Sequence, residues 1–172
     1  AAAKAVLSDE EKEAGVVLLD IGGGTTDVAI YNDNHLRHTA VIPFAGDIVT
    51  KDIQEGLQIM RTNAASLKQR AGRAYVDETQ QEQILTISDI HGRSQKQLSA
   101  LSLGRIIQAR MEELLEMVCL EIKRAGYWPD QLVGGVKLVG GSAHLKGLGD
   151  LVEFVTGMDC TIGRPGDLLA KG

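Results

Sequence analysis

Disulfide chemistry, membrane spans and an excess of positive charge are all missing from this 172-residue sequence. Its two cysteines, Cys119 and Cys160, are too few to staple a fold and have no zinc-type spacing, which points to a reduced, cytoplasmic compartment. No apolar run approaches the ~20 residues that a bilayer requires. The opening stretch from Ala1 to Leu7 is too short and too mild for a signal sequence, and it lacks an initiating Met. It reads as the tail of a helix already under way, in a fragment cut from a longer chain. The balance of 18 Lys and Arg against 23 Asp and Glu leaves a net charge of −5, which removes the electrostatic case for nucleic acid or an anionic membrane. The histidines His35, His38, His91 and His144 share no metal spacing. No nucleophile–base pair and no local carboxylate pair stands out.

What is present is ordinary for a folded protein: 44% hydrophobic and 24% charged residues, enough for one good-sized domain or two small ones sharing a core. Residues 1–14 are Ala-rich and then acidic, and read as a helix end followed by a solvated linker. Three β-type runs follow, Val16–Ile21, Asp27–Tyr31 and His35–Ile42, broken by glycines and by Asn32-Asp33-Asn34, which predicts an antiparallel meander. Beyond Pro43 the period becomes helical, with Ile48, Val49, Ile53, Leu57 and Met60 behind a cap at Gly46-Asp47. A second helix is expected over 62–71, a polar loop over 72–82, a strand over 83–90 and a polar stretch over 91–97. Leu103, Ile107, Met111, Leu114, Val118, Ile122 and Ala125 then mark one face of a long helix stopped by Gly126 and Pro129. A strand at 135–139, a helix carrying Leu145, Leu148, Val152 and Val155, and a short strand at 160–162 complete an α/β pattern. The sole tryptophan, Trp128, reads as a packing lid at a helix end, and Cys119 as a small core or boundary residue.

Two glycine loops carry the chemistry. In Asp20-Ile21-Gly22-Gly23-Gly24-Thr25-Thr26-Asp27, three glycines let backbone N–H groups converge on an anion, because no Cβ blocks its approach. Thr25 and Thr26 add hydroxyl donors, and Asp20 stands where the hydration shell of Mg²⁺ needs an oxygen. In Leu138-Val139-Gly140-Gly141-Ser142-Ala143-His144-Leu145, glycines between a strand and a helix allow a flat ring or a sugar to approach. Both loops lie at strand ends, where α/β sheets hold ligands. Neither matches the Walker loop or the dinucleotide fingerprint.

The first loop resembles the second phosphate motif of the actin and chaperone ATPase superfamily, and the second loop its adenosine motif. A longer match is to the FtsA family of bacterial actin-like cell-division proteins. It runs through Gly46-Asp47-Ile48-Val49-Thr50-Lys51-Asp52-Ile53, Ala64-Ala65-Ser66-Leu67-Lys68, Ile106 to Leu114, and Ile162-Gly163-Arg164-Pro165. The resemblance implies the second half of an actin-like (ribonuclease H-like) fold: an α/β mixed sheet flanked by helices, with a small α+β insertion. Residues 1–14 would be a linker, 15–44 with 101–172 a nucleotide-binding subdomain, and 45–100 an inserted capping subdomain. ATP with Mg²⁺ would meet Asp20, Gly22, Gly23, Gly24, Thr25, Thr26, Lys68, Gly140, Gly141, Ser142 and Leu145, with Asp20 reaching the metal through water. Ala65 stands where the family carries a ribose-binding Glu, Ser142 where it usually has a third glycine, and Val139 where it has a small hydroxyl residue. Weakened nucleotide binding is therefore expected.

The parent would bind ATP with little or no hydrolysis, and the fragment alone would be inactive. Its partner would be the acidic and apolar C-terminal tail of FtsZ, met by Lys96, Arg110 and Arg93. Other division proteins, self-polymerisation, and a membrane reached only through a C-terminal helix beyond Gly172 complete the implied picture. The place of work would be the cytoplasmic face of the inner membrane at the division site. Two alternatives stand beside it, a pilus-assembly relative and a kinase of the same superfamily.

Overall fold

The computed structural model describes residues 6–89 and 91–164. Its centre is a five-stranded sheet in the order β3-β2-β1-β6-β7, formed by β1 (Val16–Ile21), β2 (Thr26–Asn32), β3 (His35–Ile42), β6 (Val136–Val139) and β7 (Cys160–Ile162). The first three strands form the expected antiparallel meander. Its β2–β3 turn places Asp33 and Asn34 at φ of 51° and 62°, the left-handed conformation that a two-residue hairpin needs and that Asn and Asp tolerate. In the other direction β1 pairs with β6, and β6 with β7, in parallel.

Alternation along β1 divides the core. Val17, Leu19 and Ile21 enter the main cluster with Val49 and Ile53 of α2 (Gly46–Leu57) and Ala64 and Leu67 of α3 (Arg61–Ala71). The same cluster takes the buried stripe of α4 (Ala100–Arg124) and Leu151 and Val152 of α5 (Leu148–Thr156). The stripe is the one the spacing predicts: Leu103, Ile107, Met111, Leu114, Val118 and Ile122 are all buried, with Leu115 beside them. Ser99 caps this helix, its hydroxyl accepting from the Ser102 N–H at 3.1 Å. Val16 and Leu18 face the other way and pack with Val139, Val6 and Leu7.

Three expectations change. Residues 9–14 form a short helix, α1 (Asp9–Ala14), docked on the sheet rather than a solvated linker. A capping box holds it: the Ser8 hydroxyl accepts from Glu11 N–H (3.1 Å), and the Glu11 carboxylate accepts from Ser8 N–H (3.2 Å). Lys137 of β6 then fixes Glu11 at 3.1 Å. The polar stretch after residue 90 contains a strand, β5 (Gln95–Ser99), antiparallel to β4 (Ile84–Ser88). Its side chains are mostly exposed, so backbone pairing rather than apolar alternation defines it. Trp128 is 74% exposed and covers no core. Pro165, the end of the fourth family-like motif, lies outside the described residues.

Candidate functional site

Parallel pairing of β1 with β6 brings the two glycine loops side by side. Asp20 and Val139 are register partners, so both strands end at the same edge and both loops leave the sheet there. The first loop is a tight turn closed by Gly22 N–H to Thr25 O at 3.1 Å. Gly23, Gly24 and Thr25 are exposed on its rim, and among the described residues their amides have no partner. A Cβ at Gly24 or at Gly141 would meet nothing within 4 Å, so both loops are open there. Gly140 has the opposite constraint. Its φ is 94°, and a Cβ there would fall 2.5 Å from both Asp20 Oδ1 and Ile21 O. Asp20 therefore reaches under the second loop, with Asp27 opposite it across β1 and β2.

The N-terminus of α2 closes the site from the third side. Gly46 N–H donates to Gly22 O at 3.1 Å, and Asp47 N–H to Gly23 O at 2.8 Å. The Asp47 carboxylate comes within 3.1–3.2 Å of where a Cβ of Gly23 would be. Asp47 thus faces the first glycine loop, and the side chain expected to cap α2 makes no capping hydrogen bond. Lys68, on α3, donates to Gly46 O at 2.9 Å and to Thr50 Oγ1 at 2.8 Å. Burial pulls its ammonium below the ordinary lysine value, and the Asp47 carboxylate opposes that. Ser142 Oγ donates to Gly22 O at 3.1 Å, joining one loop to the other.

Not every expected residue lies at the mouth. Thr26 is fully buried, and its hydroxyl donates to Phe44 O at 3.0 Å, so it fastens the start of β2 rather than lining the rim. Leu145 is half-buried against the main core. Ala65 is exposed on α3, one turn before Lys68. Asp47 and Thr50 complete the site and were not singled out by sequence. The Gly46-Asp47 pair was the available signal, and a helix start and a ligand rim look alike at that level.

The three basic residues expected to meet a partner have different surroundings. Arg110 on α4 makes a two-pronged pair with Asp52 of α2, Nε to Oδ2 at 2.7 Å and Nη2 to Oδ1 at 3.1 Å. Glu113 adds a contact at 3.1 Å, and the guanidinium lies 5.6 Å from the centre of the Phe44 ring. Hydrogen bonding to Asp52 raises its pKa further. Lys96 donates to Leu57 O (2.8 Å) and Gln58 O (3.3 Å), satisfying carbonyls at the C-terminal end of α2. Arg93 is exposed in the β4–β5 turn and has no ion pair among the described residues. Neither cysteine is an activated nucleophile: burial pushes the Cys160 thiol up to about 12, and Cys119 is also raised by burial.

Comparison with solved structures identifies the class. MreB5 of Spiroplasma citri, solved bound to ADP, superposes with a TM-score of 0.77 at 19% identity, covering 95% of this chain and 53% of that one. The same protein bound to AMPPNP gives 0.73 over 94% of this chain. The fold is therefore that of the actin-like ATPases.

Sequence carries the assignment further. The family described as cell division protein FtsA matches residues 17–171. The FtsA proteins of Pseudomonas aeruginosa and Bacillus subtilis are 38% and 39% identical, each over 96% of this chain. This chain belongs to the FtsA family of cell-division proteins. It spans 39% and 37% of the length of those two relatives. Membership sets aside the pilus-assembly and kinase alternatives.

Proposed function

We propose that this chain is the nucleotide- and partner-binding part of an actin-like adaptor that tethers FtsZ filaments to the cytoplasmic membrane and helps assemble the division septum. The observation that carries the nucleotide part is the pairing of two open glycine loops at one sheet edge, with Asp20 beneath them. Gly23, Gly24 and Thr25 would hold phosphate oxygens through exposed amides. Gly140, Gly141 and Ser142 would border the adenosine, where the open space beside Gly141 leaves room for a flat group. The Asp20–Asp27 pair suits a hydrated Mg²⁺, which would neutralise the polyphosphate. The bound ADP and AMPPNP of the MreB5 structures support the same ligand class.

Residues 15–44 with 101–172 would form the nucleotide-binding subdomain, and 45–100 the subdomain that caps it. Lys96, Arg93 and Arg110 would receive the carboxylates of the FtsZ tail. Arg110 would do so by exchanging Asp52 for an incoming carboxylate in the same two-pronged geometry. No helix among the described residues is long and apolar enough to cross a membrane. Membrane contact would come from a C-terminal helix of the parent. Self-polymerisation and contacts with other division proteins would use the whole parent, at the cytoplasmic face of the division site.

Titration of the full-length parent with a fluorescent ATP analogue, with and without Mg²⁺, and with a labelled FtsZ C-terminal tail peptide tests this reading. Saturable binding of both is expected, with Mg²⁺ strengthening the nucleotide. Lys96→Glu and Arg93→Glu should weaken the peptide about tenfold together, at roughly 0.7 kcal/mol per exposed charge contact, and leave the nucleotide unchanged. Folded protein that binds neither ligand overturns the reading.

A further inference from the structure

We propose that Ser142 and Lys68 are the two ends of a latch that locks the first glycine loop to the second loop and to α3, setting the loop for its phosphate ligand. This rests on the nucleotide reading above. The latch is a continuous chain of hydrogen bonds. Ser142 Oγ donates to Gly22 O at 3.1 Å, and the same carbonyl takes the Gly46 N–H at 3.1 Å on its second lone pair. The Gly46 carbonyl in turn accepts from Lys68 Nζ at 2.9 Å. Both sides of Gly46 are therefore held, and the bond from Lys68 is charge-assisted. Sterics agree: a Cβ at Gly46 would fall 2.6 Å from Ser142 Oγ and 3.4 Å from Lys68 Nζ. The close approach of the three elements depends on glycine at that position.

This gives the serine a purpose. A glycine at 142 would leave one lone pair of Gly22 O without its donor and remove the side-chain hydrogen bond between the two loops. Two of the three N–H donors of Lys68 go to Gly46 O and Thr50 Oγ1, which ties the ammonium to the first turn of α2.

Hydrogen–deuterium exchange of the nucleotide-free, full-length parent tests the latch without any ligand. Ser142→Ala should speed exchange about fivefold in the segment 44–50, the loss of one net hydrogen bond, and Lys68→Met, which removes two, at least as much, while β1 is unchanged. Ser142→Thr, which keeps the hydroxyl, should restore wild-type exchange. In binding, Lys68→Met should weaken ADP and GDP by the same factor. Ser142→Ala with Lys68→Met should lose less than the product of the single losses. Unchanged exchange in Ser142→Ala overturns the latch, and a changed ADP-to-GDP ratio in Lys68→Met makes Lys68 a base contact and overturns its place in it. If exchange responds as expected but wild-type protein binds no nucleotide, the latch stands and the nucleotide reading falls.

Discussion

The glycines of the site differ in what they tolerate, and the difference is set by what lies under each one. Gly140 combines a positive φ with Asp20 Oδ1 and Ile21 O at 2.5 Å from any Cβ. Gly141, next in sequence, has nothing within 4 Å. Gly140→Ala should therefore cost about 2–3 kcal/mol from backbone strain and displacement of Asp20, and Gly141→Ala about 0.5 kcal/mol or less. Urea denaturation of the two variants checks this, and equal losses would contradict it. Most of the loop was legible at this scale, because glycine runs beside Asp and Thr have few other uses. Thr26 was not, since a threonine on a rim and one whose hydroxyl fastens Phe44 O are the same letter.

Among elements, α2 is tied down at three points. Its N-terminus is hydrogen-bonded to the first loop, Asp52 in its middle pairs with Arg110, and Lys96 satisfies carbonyls at its C-terminal end. Asp52 and Arg110 are both largely shielded, with side chains 20% and 27% exposed. Arg110→Ala should cost about 1–2 kcal/mol, and a double-mutant cycle with Asp52→Asn should return a coupling of about 1 kcal/mol. A coupling near zero, measured by chemical denaturation, would show that the pair does not fasten α2 to α4. Element recognition followed apolar periodicity closely: α4 and the meander were plain. The strand β5 was hidden because Gln-Lys-Gln has no apolar alternation. Its strand state comes from pairing with β4, which lies across a turn. The α1 capping box was present as Ser8-Asp9-Glu10-Glu11, but its docking depends on Lys137, 126 positions further along the chain.

At the scale of the whole molecule, the sheet and its helical layer are joined at the β3 edge by one polar cluster. His38 Nε2 lies 2.7 Å from Glu121 Oε2, and Arg124 Nη1 donates to Glu121 Oε1 at 2.8 Å. The hydrogen bond to His38, supported by Arg124, holds the Glu121 carboxyl below its ordinary value. A carboxyl depressed in the folded state contributes stability that is present above its unfolded value, about pH 4.3, and is lost as pH falls through the folded value. Stability should thus fall by about 0.5–1 kcal/mol more in the wild type than in Glu121→Gln between pH 5 and pH 3. Thermal melts across that range measure it, and parallel curves would remove Glu121 from the acid response.

By itself the sequence determined the family, the order of the elements apart from α1 and β5, the stripe of α4 and the two glycine loops. Each of these rests on short-range pattern: periodicity, glycine runs, and motifs in a set order. Tertiary structure alone decided how the loops are used. Parallel pairing of β1 with β6 set Asp20 under Gly140. The docking of α2 and α3 turned Lys68 toward the Gly46 carbonyl, the second loop brought Ser142 onto the Gly22 carbonyl of the first, and Asp52 took up Arg110. These contacts join residues between 22 and 120 positions apart, and a hydrogen bond of that span leaves no local trace in the chain. Its partners are fixed only when the sheet has closed and the helices have packed on it.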